Sequence, residues 1–463
     1  MIFQPITHSG YQLFHDGCIA LSQVEANGMR IDMDYLTKAK AECKDNIAIL
    51  RKQLTEDAVY KKWQRRYGPK TKLGSREQLG VVLFDILKLP CTERTKTGRP
   101  VCDDNVLRQL DLPFVQNYLA VERWKKALNT YLKGIERETI DGYVHPFYNL
   151  NTAISFRSSS DSPNSQNWPV RRPEIAKLIR SAFIPRSANR QIAEFDFKGV
   201  EVAIAACYNK DPVLIKYVSD SRTDMHRDMA CECFLLNKNM VTKDIRYCSK
   251  NRFTFPEFYG NWYKAVSKDL WRGISELNLC TADGTPLRNH LREKGIKRLG
   301  KCDPEIDARP GTFEYHIQQV EKKFWNERFQ VYSQWKKDWN AVYLEQGFFD
   351  TLTGFRCSSL MDRKQCVNYP IQGSAFHCLL WCLVRIQKLL RKYNMRSLII
   401  GQIHDSMIMD VLRREMKNVF DIVRQVTMVD LAKHWRWIIV PMKIEAELSS
   451  PGCSWYEKKE VEI

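Results

Sequence analysis

Two carboxylates far apart in the chain sit in the same kind of setting. Residues 397–411 read SLIIGQIHDSMIMDV, in which two apolar runs, Leu398–Ile403 and Met407–Val411, flank His404, Asp405 and Ser406. Ile-rich runs of this length, broken by a polar tip, predict a strand–turn–strand hairpin with Asp405 at the turn. Residues 191–206 read QIAEFDFKGVEVAIAA. Here Ile192–Phe197 alternates apolar and polar residues and carries Asp196 near its end. The part from Gly199 is apolar and Ala-rich with Glu201 as its one acid, so the stretch reads as strand running into helix. An acid between core strands is costly unless a cation or a metal neutralises it. Taken alone, Asp405 also fits a turn cap that accepts backbone hydrogen bonds. Two strand-end aspartates together supply what two-metal chemistry requires. They can bridge Mg²⁺ ions roughly 4 Å apart, one activating an attacking hydroxyl and one stabilising a leaving oxygen.

A second constellation lies between them. In Asp244–Gly260 (DIRYCSKNRFTFPEFYG), Arg246 and Lys250 are four residues apart, so a helix presents both cations on one face. Two donors aligned along a helix suit a triphosphate, with aromatic residues further along for a base. A solvated helix face accounts for Arg246 and Lys250 but not for the aromatic residues and Tyr259-Gly260 that follow.

The elements that must position these groups can be bounded from composition. The 463 residues suffice for two or three domains or one multi-lobed enzyme, and 44% hydrophobic with 11% aromatic residues excludes wholesale disorder. A formal charge of +18 favours a polyanion or an anionic membrane surface as partner. No run of eighteen apolar residues offers a membrane span, and the first residues lack the pattern of a signal peptide. These features predict an intracellular, cytoplasmic protein. The fifteen cysteines are scattered, and Cys231–Cys233 has no second pair at zinc spacing, so free buried thiols are expected. Asn27-Gly28 marks a turn, Asp32 or Asp34 can cap the helix after it, and Ile47–Leu54 continues with helical spacing. The Thr/Lys/Arg-rich loop Thr92–Cys102 suits phosphate contact, and a solvated surface loop would look the same. Asn151–Pro169 is polar and turn-forming, a linker by composition. Phe313–Gln346 reads as a long amphipathic helical stretch.

In order along the chain, these words resemble the polymerase module of the family A DNA polymerases, the bacterial DNA polymerase I type, and especially its bacteriophage members. Asp196 followed five residues on by Glu201 matches the first palm motif, and His404-Asp405-Ser406 is similar to the palm hairpin. Thr223-Asp224-Met225-His226 resembles the element before the fingers, and Asn368–Ala375 (NYPIQGSA) matches the family's N-x-P-I-Q-G-[ST]-A. The resemblance implies an α+β right-hand fold: a palm with an antiparallel sheet, and helical fingers and thumb. Residues 1–145 would form the thumb and its connecting segment, 146–206 and 347–463 the palm, and 207–346 the fingers. The phrase LSQVEANGMRIDMDYL resembles the segment that follows the 3′→5′ exonuclease domain, so no proofreading site is expected in this chain.

The same resemblance implies roles. Asp196 and Asp405 would hold two Mg²⁺ ions, with Glu445 a secondary acid, and Glu201 would reject a ribose 2′-hydroxyl. Arg246, Lys250, His226, Phe255 and Tyr259 would contact the dNTP. Arg157, Asn164, Gln166, Asn167, Gln372 and His404 would contact the primer–template. A separate exonuclease and replisome factors would be further partners, with no membrane. Departures are visible. Gly199, Ala203 and Ser406 replace a Gln, an Arg and an acid, Lys250 to Phe255 is five residues where the family has four, and Pro256 falls inside the helix. The register leaves open whether Lys250 or Asn251 faces the phosphates. A single-subunit RNA polymerase is the near alternative, opposed by Glu201. A non-catalytic DNA-binding or processivity subunit is another, and it should have lost a metal acid or a triphosphate cation.

Overall fold

The computed structural model describes residues 3–91, 94–95, 97–170 and 172–463. Its centre is a five-stranded antiparallel sheet. The strands are β1 (Arg190–Phe197), β2 (Leu398–Ile403), β3 (Ser406–Leu412), β4 (Ile444–Leu448) and β5 (Lys459–Val461), in spatial order β2-β3-β1-β4-β5. Alternation along β1 sorts its side chains to two faces. Ala193, Phe195 and Phe197 join a large core that includes Met407, Met409 and Ala446, whereas Ile192 joins a second core with Ile400, Ile408, Phe183 and Trp455. Asp196 shares the parity of Ile192, so it points away from the large core.

Helices enclose this sheet. α1 (His8–Asn27) is capped by Thr7, whose hydroxyl accepts from the Gly10 N–H, and it ends at Gly28 with φ +62°. α2 (Met33–Glu56) is capped by Asp32, which accepts from the Tyr35 N–H, and it packs on α3 (Pro113–Lys126). Around these two, Leu54, Trp63, Leu83 and Tyr118 form the separate core of a helical lobe. Residues 3–27, grouped with that lobe in the sequence reading, pack on the sheet lobe instead. Phe3–Pro5 pairs with Phe355–Cys357, and the α1 residues Leu13, Ala20 and Val24 enter the large core. An apolar helix face does not encode which surface it covers. Within the loop Thr92–Cys102, Thr92, Glu93 and Lys96 lie outside the described residues, as does Arg171. The described part turns back on itself, with the Thr95 N–H donating to the Arg99 carbonyl at 2.8 Å.

The second helical lobe follows β1. α4 (Val200–Asn209), α5 (Met225–Phe234), α6 (Lys243–Ser249) and α7 (Gln330–Gln346) surround an aromatic core of Phe253, Phe258, Phe324, Phe329 and Tyr332. The long helical stretch expected over 313–346 is broken: Phe313–Lys323 gives way to a wide turn and to Phe329 at φ −113°, ψ 51° before α7 begins. Finally α8 (Arg363–Lys392), about 45 Å long, starts with a reciprocal Asp362–Gln365 cap and runs beneath the sheet. Its Gly373 is required by close approach: a Cβ there would stand 2.8 Å from Phe156 Cδ2 and 2.9 Å from the Ser155 carbonyl oxygen.

Candidate active site

The hairpin of β2 and β3 closes through His404 and Asp405, with Ile403 opposite Ser406. A two-residue turn needs a positive φ to match strand twist, and His404 supplies it at +53°. Ser406, expected at the tip, already belongs to β3, where it lies opposite Asp196. On the other side of β1, Glu445 lies opposite the same aspartate. Ser406, Asp196 and Glu445 therefore form one row on one face of the sheet. Asp405 adjoins this row, its carbonyl accepting from the Phe197 N–H at 3.3 Å.

Neither the Asp196 nor the Asp405 carboxylate has a hydrogen-bond or ion-pair partner among the described residues. Burial, followed by repulsion from Asp405, Glu194 and Glu445, pushes the Asp196 carboxyl up to about 7. Glu445 is tied to Lys198 at 2.5 Å. Among the described residues no group of three or more His, Cys, Asp or Glu could hold a metal. The donor set still fits a hard divalent ion that keeps water or substrate oxygens in its remaining positions, because such ions commonly take only one or two carboxylates from the protein. The next row belongs to structure. Burial opposes charge on Glu194, yet Lys458, Arg180 and Trp455 hold its carboxyl below the usual range.

The second lobe brings cations towards this row. Asp224 caps α5 through the Arg227 N–H and also accepts from Arg246 Nε at 2.7 Å. At Lys250 the chain makes a wide turn in which the Phe255 N–H donates to the Lys250 carbonyl, five residues back. This turn absorbs the extra residue between Lys250 and Phe255, and Pro256, which has no N–H, lies in the first turn of the next helical segment, Phe255–Phe258. Lys250 consequently faces the site. Its ammonium lies 5.3 Å from the Phe255 ring centre, and burial, then Arg246, lowers its pKa against the attraction of Glu445 and Asp196. Asn251 is exposed and donates back to the Tyr247 carbonyl at 2.9 Å. Burial, then Lys250 and Arg246, depresses His226 to about 4, and its ring stands 5.6 Å from that of Phe255.

Glu201 is held from two sides: the Arg157 guanidinium and the Tyr259 hydroxyl both donate to its carboxylate. The Tyr259 and Phe255 rings stack at 6.1 Å with planes 17° apart. These side chains line a small apolar recess together with Tyr332 and Asn368, and the Asn368 amide fixes the Tyr259 carbonyl at 3.1 Å. Of the residues expected to meet nucleic acid, Asn164, Asn167 and His404 are exposed and Gln372 is half-buried. Gln166 is engaged internally, donating to Ser158 at 2.9 Å and to Gln402 at 3.0 Å.

Gln402 itself was missed by the sequence reading. It is 1% exposed, and its amide accepts from Ser158 and donates to the His404 carbonyl at 2.6 Å. Its signal was present as the single amide inside an apolar strand. Asn368, Asp224 as the partner of Arg246, and Lys198 were likewise given no role; their significance lies in partners distant in sequence.

The model of DNA polymerase family A matches residues 33–278 and 321–457. The chain belongs to this family. DNA polymerase I of Lactococcus lactis is 27% identical over 456 residues, covering 95% of this chain and 45% of that protein. DNA polymerase I of Bacillus subtilis is 26% identical over 446 residues, with the same coverages. A DNA polymerase of Bacillus phage SP01 is 27% identical over 383 residues, 79% of this chain and 38% of that protein. This family A chain thus spans less than half the length of these relatives. The polymerase domain of Pol1 from M. smegmatis, solved in complex with DNA primer–template and dNTP, shares the fold with a TM-score of 0.75 at 22% identity, over 96% of this chain and 70% of that one. No helix among the described residues is long and apolar enough to cross a membrane.

Proposed function

We propose that this chain is a DNA-templated DNA polymerase that adds dNTPs to a primer 3′-hydroxyl. The observation that carries the reading is the opposition of two surfaces. Asp196 on the sheet face and Asp405 at the adjoining turn have no hydrogen-bond or ion-pair partner among the described residues, and Lys250 on the helical lobe is within electrostatic reach of Asp196 and Glu445. The sheet lobe would be the palm, the lobe within 207–346 the fingers, and the lobe from Met33 to about residue 145 the thumb. Asp196 and Asp405 would hold two Mg²⁺ ions, which when bound lower the pKa of the primer hydroxyl and neutralise charge at the α-phosphate. Arg246, Lys250 and His226 would bind the triphosphate and stabilise the departing pyrophosphate. Before a nucleotide binds, burial and the charges of Lys250 and Arg246 hold His226 near 4, so it is uncharged at neutral pH. Phe255 and Tyr259 would stack beside the nascent base pair. The Glu201 carboxylate, held by Arg157 and Tyr259, would occupy the space a ribose 2′-hydroxyl needs. Asn164, Asn167, Gln372 and His404, together with Arg157 and Gln166, would line the primer–template path.

Primer extension with Mg²⁺, comparing dNTPs with rNTPs, tests this reading. Wild type should extend with dNTPs only, Asp405→Asn should not extend while still binding DNA, and Glu201→Ala should admit rNTPs. A folded wild-type protein that binds primer–template but never extends it would overturn the proposal.

A further inference from the structure

The sheet carries a second concentration of charge at the end opposite Asp196. β1 begins at Arg190 and β3 ends at Leu412. Six residues at about 3.4 Å each put this end roughly 20 Å from the carboxylate pair. There Arg190, Arg396, Arg413 and Arg414 surround an open hollow of about 730 Å³, with Ser187 and Asn189 on its wall.

The backbone around the hollow is tied down. Arg190 donates to the Asp410 carboxylate at 3.0 Å and to the Arg396 carbonyl at 2.9 Å, and the Arg413 N–H donates to the Asn189 carbonyl at 3.1 Å. Both neighbouring acids are engaged inward. Asp410 is 1% exposed and takes the Arg186 N–H as well as Arg190. Glu415 accepts from the N–H groups of Arg396 and Ser397 and from the Ser397 hydroxyl. The exposed side chains of Arg396, Arg413 and Arg414 therefore have no ion pair among the described residues. Among the described residues only Glu415 offsets this charge, acting on Arg414 through space, so the lining of the hollow carries a net excess of positive charge that favours an anion. Their planar forks match phosphate oxygens, and the Asn189 amide, whose oxygen accepts from the Ser187 hydroxyl at 2.6 Å, keeps its NH2 as a neutral donor.

We propose that this hollow is an anion site for phosphate groups, separate from the catalytic row. The phosphates belong either to a nucleic-acid backbone outside the catalytic cleft or to a free polyphosphate. The free-polyphosphate arm of the test does not depend on the polymerase reading.

The test compares wild type with Arg413→Gln/Arg414→Gln, and with Arg396→Gln as a second variant, each verified as folded by its melting curve. A fluorescein-labelled primer–template is titrated over a salt series, and sodium tripolyphosphate is titrated calorimetrically in Mg²⁺-free buffer. If the site takes backbone phosphates, the double variant lowers the magnitude of the log K against log [salt] slope by about 1.8, roughly 0.9 per lost contact. If it takes free polyphosphate, wild type binds one more tripolyphosphate than the double variant does. A double variant that matches wild type in both slope and stoichiometry would overturn the inference. A wild type that binds tripolyphosphate here but no primer–template would instead count against the polymerase reading alone.

Discussion

Replacing Gln402 with leucine isolates what supports the catalytic hairpin. The change places an apolar side chain at the position and keeps the backbone bond from the Gln402 N–H to the Tyr148 hydroxyl at 3.0 Å. It removes three bonds: the acceptor of the Ser158 hydroxyl at 2.7 Å, that of the Gln166 amide at 3.0 Å, and the donor to the His404 carbonyl at 2.6 Å. Ser158 is 6% exposed and still accepts from Gln166 at 2.9 Å, but its hydroxyl proton is left without its acceptor, which costs about 1–3 kcal/mol. Gln166 is half-buried and the turn carbonyl adjoins solvent, so water recovers most of their loss, leaving about 0.5 kcal/mol each. The total is about 2–4 kcal/mol. The functional effect should be larger than this suggests, because the lost donor anchors the residue before Asp405, and a displacement of about 1 Å at a reacting centre can cost roughly 10²-fold. Urea denaturation and single-nucleotide incorporation at saturating primer–template measure the two effects. A Gln402→Leu protein that unfolds and incorporates like wild type would refute the assignment of this network as the support of Asp405.

Three further outcomes are expected. Between the ordinary value of 3.8 and its folded value of about 7, Asp196 keeps a proton that the unfolded chain has released, so the metal-free protein should lose stability as pH rises across that window. Mg²⁺ should then raise the melting temperature more at pH 8 than at pH 5, and Asp196→Asn should abolish the difference. Glu194 behaves oppositely: its depressed pKa contributes stability that is complete above its ordinary 4.5 and disappears as pH falls through the folded value. Lys458→Met should therefore cost about 3 kcal/mol at pH 7, with the deficit shrinking on acidification in melts from pH 7 to 3. Gly373→Ala should destabilise by roughly 1–3 kcal/mol through the clash with Phe156 and the Ser155 carbonyl, seen as a lower urea midpoint.

Much of the local architecture was legible in the sequence because it rests on short-range rules. The hairpin at 398–412 follows from two apolar runs around a polar tip, and the helix start near residue 33 follows from a side chain that caps nearby N–H groups, with Asp32 rather than Asp34 in that place. The register at Lys250 was not legible. Counting residues showed one too many before Phe255, but only the backbone shows that a wide turn takes it up and leaves Lys250 rather than Asn251 towards the site. The destination of α1 was equally hidden, because its apolar stripe would have served a thumb as well as the sheet lobe it covers.

The sequence by itself determined which residue types were available and on which side of each strand or helix they fall, since periods of two and 3.6 are properties of the local chain. It thereby determined that Asp196 shares a face with Ile192 and Glu194, and that Arg246 and Lys250 share one. Tertiary structure decided what those groups meet. Ser406, Asp196 and Glu445 fall into one row only through the pairing of β3, β1 and β4, and Glu201 meets Arg157 and Tyr259 only because three distant segments converge. The pKa near 7 at Asp196 arises the same way. Burial and neighbouring carboxylates belong to the folded surroundings of a residue, and the low dielectric that makes them count exists only once the chain has closed around it.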